Sequence, residues 1–537
     1  MKKDGRRKTG DGRRVGGGGR ARRTVVAATL VSIATMGCAG RARVPAPTEG
    51  RRPEPVAPVM MPVAEVRTAP SARDVVQHLA DSALGAPMWR NARWGVLIVN
   101  ATTSDTLYSH DADRLFMPAS NQKLLTGAVA MQVLGPEYRW RTPVLLRGVQ
   151  RGHVFRGDVV VIGRGDPSVS DSLQVGGVLS TFDPIVNALA ARGITRIAGA
   201  IVTAEDAFPG PSTGFGWEVD DVDGPSGAAV DELLFNEGVL RVTVRAAAKA
   251  GKRVVVERWP TASYPAVSIQ AVTRAATDSG PAVNVVYDTA AFALRVTGTM
   301  ALGDSARFTM AYRHPNDAWR AALRERLEAR GIRVVRGASP SATAHLDTLV
   351  TLESAPLRDV LRRMQKPSQN QIAELLFRTS GLVASGHGSA DSARAVAVRT
   401  LRLWGVSAEH LAYRDGSGLS RHDYVSPRAL VQVLDAMHRA PWASTYRQAL
   451  PLAGVDGTIG NRMKNTPAAG NANAKTGTLD KARSLSGYVT TADGHLILFS
   501  MLANNFTVPT REVERVQDLL VSTLAGLHAG DSSRLAR

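Results

Sequence analysis

The apolar positions of the chain fall into three textures. From Ser71 to Leu84 they recur at helical spacing (Val75, Val76, Leu79, Leu84). Trp94–Asn100 is then an unbroken apolar run and Thr106–Ser109 a second short one, joined by polar residues 101–105. That pattern predicts a helix followed by a β-hairpin. Pro118-Ala119 leads into a long apolar stretch, Leu124–Leu134, that stops at Gly135-Pro136, so a helix should start near Ser120 and end where Gly and Pro forbid continuation. Past Pro136 the texture changes. Val144–Arg151, His153–Ile162 and Ile197–Thr203 read as strands and Asp183–Arg192 as a helix. Residues 224–310 hold short alternating runs (Leu240–Val244, Arg253–Glu257, Val267–Val272, Val283–Tyr287, Phe292–Val296, Arg307–Ala311) punctuated by Gly, Asp and Pro, the mark of an all-β module. Asp317–Arg330 reads as a helix stopped by Gly331.

Helix-rich texture resumes near 350. Residues 355–385 and 393–404 carry helical periodicity, and Ser426-Pro427 opens another helix with a cap and a first-turn proline. Arg483–Thr491 and His495–Asn504 form a second hairpin around Ala492-Asp493-Gly494, and Val508–Leu527 is an amphipathic terminal helix. Helical and hairpin segments at both ends, with a mixed and β-rich stretch between them, predict an α+β fold. The predicted division has a leader at 1–40 and a Pro-rich linker at 41–70. A catalytic body follows at 71–140 and 346–530, then an inserted domain at 141–223 and 303–345 that itself carries a β-rich domain at 224–302.

Composition changes this picture mainly at the N-terminus. Net charge is +19, and +8 of it lies in the first 23 residues. A basic start followed by the short apolar run Thr24–Met36 reads as an export signal, and thirteen residues are too few to span a bilayer. The single cysteine, Cys38, sits at the end of that run, in Thr35-Met36-Gly37-Cys38. Gly before Cys fits a lipobox, although Thr35 stands where Leu is usual, so Cys38 is a candidate lipidated residue. Cleavage nearby without lipidation is the competing reading. Seven prolines in 41–70 then form an extended tether. One cysteine excludes an intramolecular disulfide and a Cys-based zinc site. The remaining positive charge is scattered, without a basic stripe interleaved with aromatics, which argues against nucleic acid and suits an anionic wall or lipid partner.

The chemistry sits in three short segments. Ser120-Asn121-Gln122-Lys123 places a hydroxyl and an amine three residues apart, hence on one face of a helix. A serine is a weak nucleophile unless a base takes its proton, and Lys123 can do so if it is neutral. Ser368-Gln369-Asn370 follows Lys366-Pro367 and precedes a helical run. Lys475-Thr476-Gly477-Thr478 precedes the final hairpin. Each segment is weak alone. In this order they form the motif triple of serine β-lactamases and penicillin-binding proteins. A second cation, Lys475, together with partial burial, would favour neutral Lys123. Ser368 would pass a proton to the leaving amine, and Asn370 would hold a substrate amide. Lys475 and Thr476 would bind a terminal carboxylate. Backbone N–H groups of Ser120 and Thr478 would line an oxyanion hole.

On these residues the chain resembles the D-alanyl-D-alanine carboxypeptidase/endopeptidase family of class C low-molecular-weight penicillin-binding proteins. The 248 positions between Ser120 and Ser368 match the family's large insertion, and Gly163–Pro167, Trp217–Asp221 and Asp415–Arg421 resemble further family motifs. The resemblance implies a transpeptidase-like domain split by an inserted domain that carries a third. It implies a periplasmic enzyme without cofactor or metal that removes terminal D-alanine and cuts D-alanyl-diaminopimelate cross-links of peptidoglycan, with β-lactams as covalent inhibitors. It also implies that Asp221 and Arg421 bind the diaminopimelate ammonium and carboxylate, with Thr476, Gly477 and Thr478 along the substrate. Asp480, where relatives can carry an amide, departs from the pattern.

Three other readings compete. A serine β-lactamase would deacylate fast, usually with a dedicated Glu, and the long insertion speaks against it. A non-catalytic wall-binding protein would not need the intact Ser, both Lys and Asn. Gly210-Pro211-Ser212-Thr213-Gly214 matches G-x-S-x-G, but without the strand and helix that such a nucleophile turn requires. Oligomeric state is not legible.

Overall fold

A computed structural model describes residues 71–337 and 345–528. The expected leader, linker and Cys38 lie outside the described residues. The fold is α+β. One half is built on a five-stranded antiparallel sheet in the spatial order Asn473–Leu479, Ala482–Thr490, Leu496–Asn504, Arg93–Asn100, Thr106–His110. The two predicted hairpins are therefore neighbours: Trp94 lies opposite Ala503 and Ile98 opposite Phe499.

The unbroken apolar character of Trp94–Asn100 has a direct cause, since both faces of this sheet are covered. Leu97, Leu498 and Leu502 point into one core with the helices Gln122–Leu134, Leu357–Gln365, Asn370–Ser385 and Pro427–Arg439. Their neighbours Val96, Ile98, Ile497, Phe499 and Met501 point into another, closed by the helices Ala72–Leu84 and Thr510–Gly526. Period-two alternation thus divides one strand between two cores.

A third apolar cluster draws all its members from positions 144 to 352. It lies against a six-stranded mixed sheet. Arg333–Val335, Arg196–Ala198, Val154–Val161, Arg141–Arg151 and Leu346–Glu353 follow in spatial order, and Ile201–Thr203 pairs with Val154–Val161. Two small three-stranded sheets and a parallel pair fill 239–311.

Several expectations need adjustment. Ile197–Thr203 is two strands broken at Gly199, where a Cβ would sit 2.0 Å from the Gly157 carbonyl oxygen. Val267–Val272 splits into Ala266–Ile269 and Val272–Arg274, and Arg253–Glu257 shifts to Val255–Trp259. The stretch around 350 is the strand Leu346–Glu353, paired with Arg141–Arg151, and helix resumes only at Leu357. The continuous helical pattern of 355–385 is interrupted at Lys366–Gln369, because Ser368 has φ +67°.

The sheet is tied to the segment before Ser120. The Phe116 N–H donates to the Val425 carbonyl and the Met117 N–H to Asn504 Oδ1 (3.0 and 2.8 Å). The Phe116 ring lies over Gly95, where an added Cβ would be 2.3 Å from it. Gly95→Ala should therefore overpack this contact, costing about 1–3 kcal/mol and lowering the midpoint of thermal unfolding measured by circular dichroism. An unchanged midpoint would show that the contact is slack.

Candidate active site

Ser120 lies in a single 3-10 turn, Ala119–Asn121, that runs into the helix Gln122–Leu134. Ala119 adopts φ +48°, an uncommon conformation for a residue with a Cβ. The turn is held by the strand beside it: Asn121 Nδ2 donates to the Lys475 carbonyl at 2.8 Å and Ser484 Oγ to the Pro118 carbonyl at 2.6 Å. Gly477 is required here. A Cβ at that position would lie 2.0 Å from Ser484 Oγ, 2.4 Å from the Pro118 oxygen and 3.0 Å from the Ser120 nitrogen.

The helix that follows is buried all round from Gln122 to Met131, so Lys123 points its amine into the protein with no exposed surface. Lys123 Nζ lies 2.9 Å from Ser120 Oγ, 2.6 Å from Asn370 Oδ1 and 2.6 Å from the Ser417 carbonyl. Lys475, equally buried, donates to Ser368 Oγ at 2.8 Å and to the Thr476 carbonyl at 2.9 Å. Ser120, Lys123 and Asn370, from positions 120 to 370, thus form one hydrogen-bonded group and Ser368 with Lys475 a second, close enough for the Lys123 charge to act on Lys475. Asn370 Nδ2 also donates to the Ser226 carbonyl at 2.8 Å, tying the 225–228 segment to it. Thr476 Oγ1 contacts Thr458 Oγ1 at 2.7 Å, and Thr478 is exposed.

Burial pushes the Lys123 amine down to about 7, against three carboxylates, Asp415, Glu374 and Asp423, that pull it up. Lys475 is pushed well below the ordinary lysine range, first by burial and then by the Lys123 charge. Desolvation is thus the first cause of a neutral amine at both lysines, and the repulsion between the two adds to it.

Of these carboxylates, Glu374 and Asp423 were not legible in the sequence as site members, and Asp415 only as the first residue of the Asp415–Arg421 motif. Glu374 Oε1 accepts the Gly416 and Ser417 N–H groups at 2.7 and 2.9 Å. Asp415 accepts the N–H groups of Ser417, Gly418 and Ser420 and the indole N–H of Trp217. Asp423 accepts the Arg414 N–H at 2.6 Å. Together they fix the 414–420 loop so that the Ser417 carbonyl faces Lys123. The available signal was spacing: Glu374 lies one helical turn after Asn370.

Arg421 does not pair with Asp221. Its guanidinium holds Glu218, with Nη2 to Oε2 at 3.0 Å, while Asp221 caps its own short helix by accepting the Glu218 N–H at 3.2 Å. The Glu218 hydrogen bond raises the Arg421 pKa, and Asp221 and Asp480 lie near enough to add to it. Ser212 lies outside any strand or helix, so the G-x-S-x-G match lacks its structural frame.

Comparison with known proteins agrees with this geometry. Residues 73–526 match the model of the D-Ala-D-Ala carboxypeptidase 3 (S13) family. A D-alanyl-D-alanine carboxypeptidase from an Actinomadura strain is 32% identical over 481 residues, covering 85% of this chain and 86% of that protein. The D-alanyl-D-alanine carboxypeptidase DacB of Haemophilus influenzae is 27% identical, covering 77% and 85%. The crystal structure of penicillin-binding protein 4 from Haemophilus influenzae superposes with a TM-score of 0.70 at 23% identity, covering 83% of this chain and 99% of that one. A second structure of that protein, in complex with a β-lactam, gives a TM-score of 0.66 at 24% identity. A polar cluster on this fold, with a family match running through nearly all the described residues, identifies the chain as a member of the D-Ala-D-Ala carboxypeptidase 3 (S13) family of peptidases.

Proposed function

We propose that the protein hydrolyses both the D-Ala-D-Ala termini and the D-Ala-diaminopimelate cross-links of peptidoglycan through an acyl-enzyme on Ser120. The observation that carries this is a fully buried Lys123 amine 2.9 Å from Ser120 Oγ. Neutral Lys123 takes the hydroxyl proton as Oγ attacks the carbonyl of the penultimate D-alanine. Backbone N–H groups of Ser120 and Thr478 receive the oxyanion. The C–N bond breaks as Ser368 relays a proton from the lysine pair to the leaving amine, and water then releases the acyl group. Asn370 orients the peptide, and Thr476 with the Gly477–Thr478 backbone aligns the substrate alongside Lys475.

At the mouth, Arg421 with Glu218, Asp221 and Asp480 suits a side chain bearing both charges. A guanidinium meets the free carboxylate and an acid meets the ammonium. We also propose that the catalytic body resumes close to Leu357, an assignment supported by the pairing of Leu346–Glu353 with Arg141–Arg151. The intervening residues would be the inserted domain and its β-rich passenger. Export to the periplasm, with a tether at Cys38, is the localisation the N-terminal pattern favours. Among the described residues no helix is long and apolar enough to cross a membrane.

Three outcomes test this reading. Ser120→Ala should abolish labelling by a fluorescent penicillin, seen on a denaturing gel, while wild type holds the adduct. Rapid loss of the wild-type adduct would instead indicate a serine β-lactamase. The rate of acylation should rise about tenfold per pH unit below a turning point and level off above about 7, where Lys123 sheds its proton. A rate independent of pH across that region would remove Lys123 as the base. Arg421→Ala should lower kcat/KM about tenfold for peptides with a free diaminopimelate carboxylate, and less for peptides with an uncharged side chain. Purified muropeptides read by mass spectrometry supply the measurement, and equal losses would place Arg421 in a structural role.

A further inference from the structure

A cleft of about 500 Å³ lies between the helices Asn370–Ser385 and Ala390–Leu403 and the segment 211–215. Three guanidinium groups line it, Arg378, Arg394 and Arg414, with Glu374, Asp391 and the Phe215 ring. Their charges are poorly matched. Arg378 is 4% exposed, yet it spends its donors on uncharged acceptors, the Phe208 and Pro211 carbonyls at 3.2 and 2.6 Å. Its Nε is buried without any acceptor.

Glu374, one turn before Arg378 on the same helix, is not its ion-pair partner, because Oε1 is committed to the Gly416 and Ser417 N–H groups. Burial and the neighbouring Asp415 push the Glu374 carboxyl up to about 8, against the Arg378 charge that pulls it down, so near neutrality its counter-charge to Arg378 is weakened. Arg414 has no ion-pair partner among the described residues and stacks over Phe215, 5.7 Å from the ring centre. Only Arg394 is paired, with the largely exposed Asp391 at 2.6 Å. A recess holding three guanidinium groups and one solvent-screened carboxylate is short of negative charge. Arginine forks match the planar or tetrahedral oxygens of carboxylate and phosphate.

We propose that this cleft binds a small carboxylate or phosphate anion against Arg378, Arg394 and Arg414, and that its occupancy adjusts the catalytic lysine through Glu374. The second half rests on Lys123 acting as the base. The path is short: Glu374 holds the N–H groups of Gly416 and Ser417, and the Ser417 carbonyl accepts from Lys123 Nζ at 2.6 Å. An added negative charge in the cleft lies across this short path from Lys123 and favours its ammonium form.

The test uses the full chain at constant ionic strength. Calorimetric titration with inorganic phosphate and, separately, with acetate should show one saturable site for at least one of them. Saturation by phosphate alone assigns a phosphoryl ligand, and saturation by acetate assigns a carboxylate. Arg394→Gln should weaken that binding about tenfold, with penicillin acylation in the absence of the anion unchanged. Heats that do not saturate, or binding that is undiminished in Arg394→Gln, would overturn the site. With the anion bound, the acidic limb of the acylation–pH profile should move to higher pH. A limb that stays in place while binding persists would overturn the link to Lys123, and a profile with no acidic limb even without the anion would instead refute Lys123 as the base.

Discussion

A primary amine with no access to water is the constraint on which this protein depends. Lys123 has no exposed surface, and burial alone outweighs three carboxylates in setting its protonation. Leaving an amine so placed is costly unless its N–H groups and, in the neutral form, its lone pair find partners. Here it has three, each from a different part of the chain: the Ser120 hydroxyl, the Asn370 amide and the Ser417 carbonyl. Satisfying the buried group and assembling the nucleophile with its base are one structural act. The carboxylates Asp415, Glu374 and Asp423 contribute by gripping the backbone N–H groups that aim the Ser417 carbonyl.

The parts legible in the sequence were those written in local pattern. The apolar run of Trp94–Asn100, the Gly135-Pro136 stop and the three motifs each declare themselves within a dozen residues. The contacts of Lys123 with Ser120 and Asn370, and of Lys475 with Ser368, lie among residues singled out because chain order and local context agreed at all three segments. Less legible was whatever depends on partners distant in the chain. Glu374 and Asp423 look like ordinary helix and loop acids until the fold buries them. The pairing of Arg421 with Glu218 rather than Asp221 is a matter of side-chain reach within a single turn. The strand Leu346–Glu353 was hidden because its partner, Arg141–Arg151, lies some two hundred positions away.

The site is also partly roofed by residues outside the three motifs. The Trp217 indole donates to Asp415 at 2.7 Å, Asn370 to the Ser226 carbonyl, and Arg421 to Glu218. These bonds fasten the 217–228 stretch to the same loop and helix that cradle Lys123. A change in that stretch would reach the reacting groups through hydrogen bonds already made.

The antiparallel register that sets Arg141 opposite Glu353 brings the two ends of a long excursion together. Topologically the chain departs and returns at one doorway. Residues 93–110 have no neighbours for their open edge until 496–504 leave the ribosome, since those strands pair across the whole excursion. Vectorial synthesis therefore presents a half-built sheet for most of translation, with an edge open to premature pairing until the last strand is delivered.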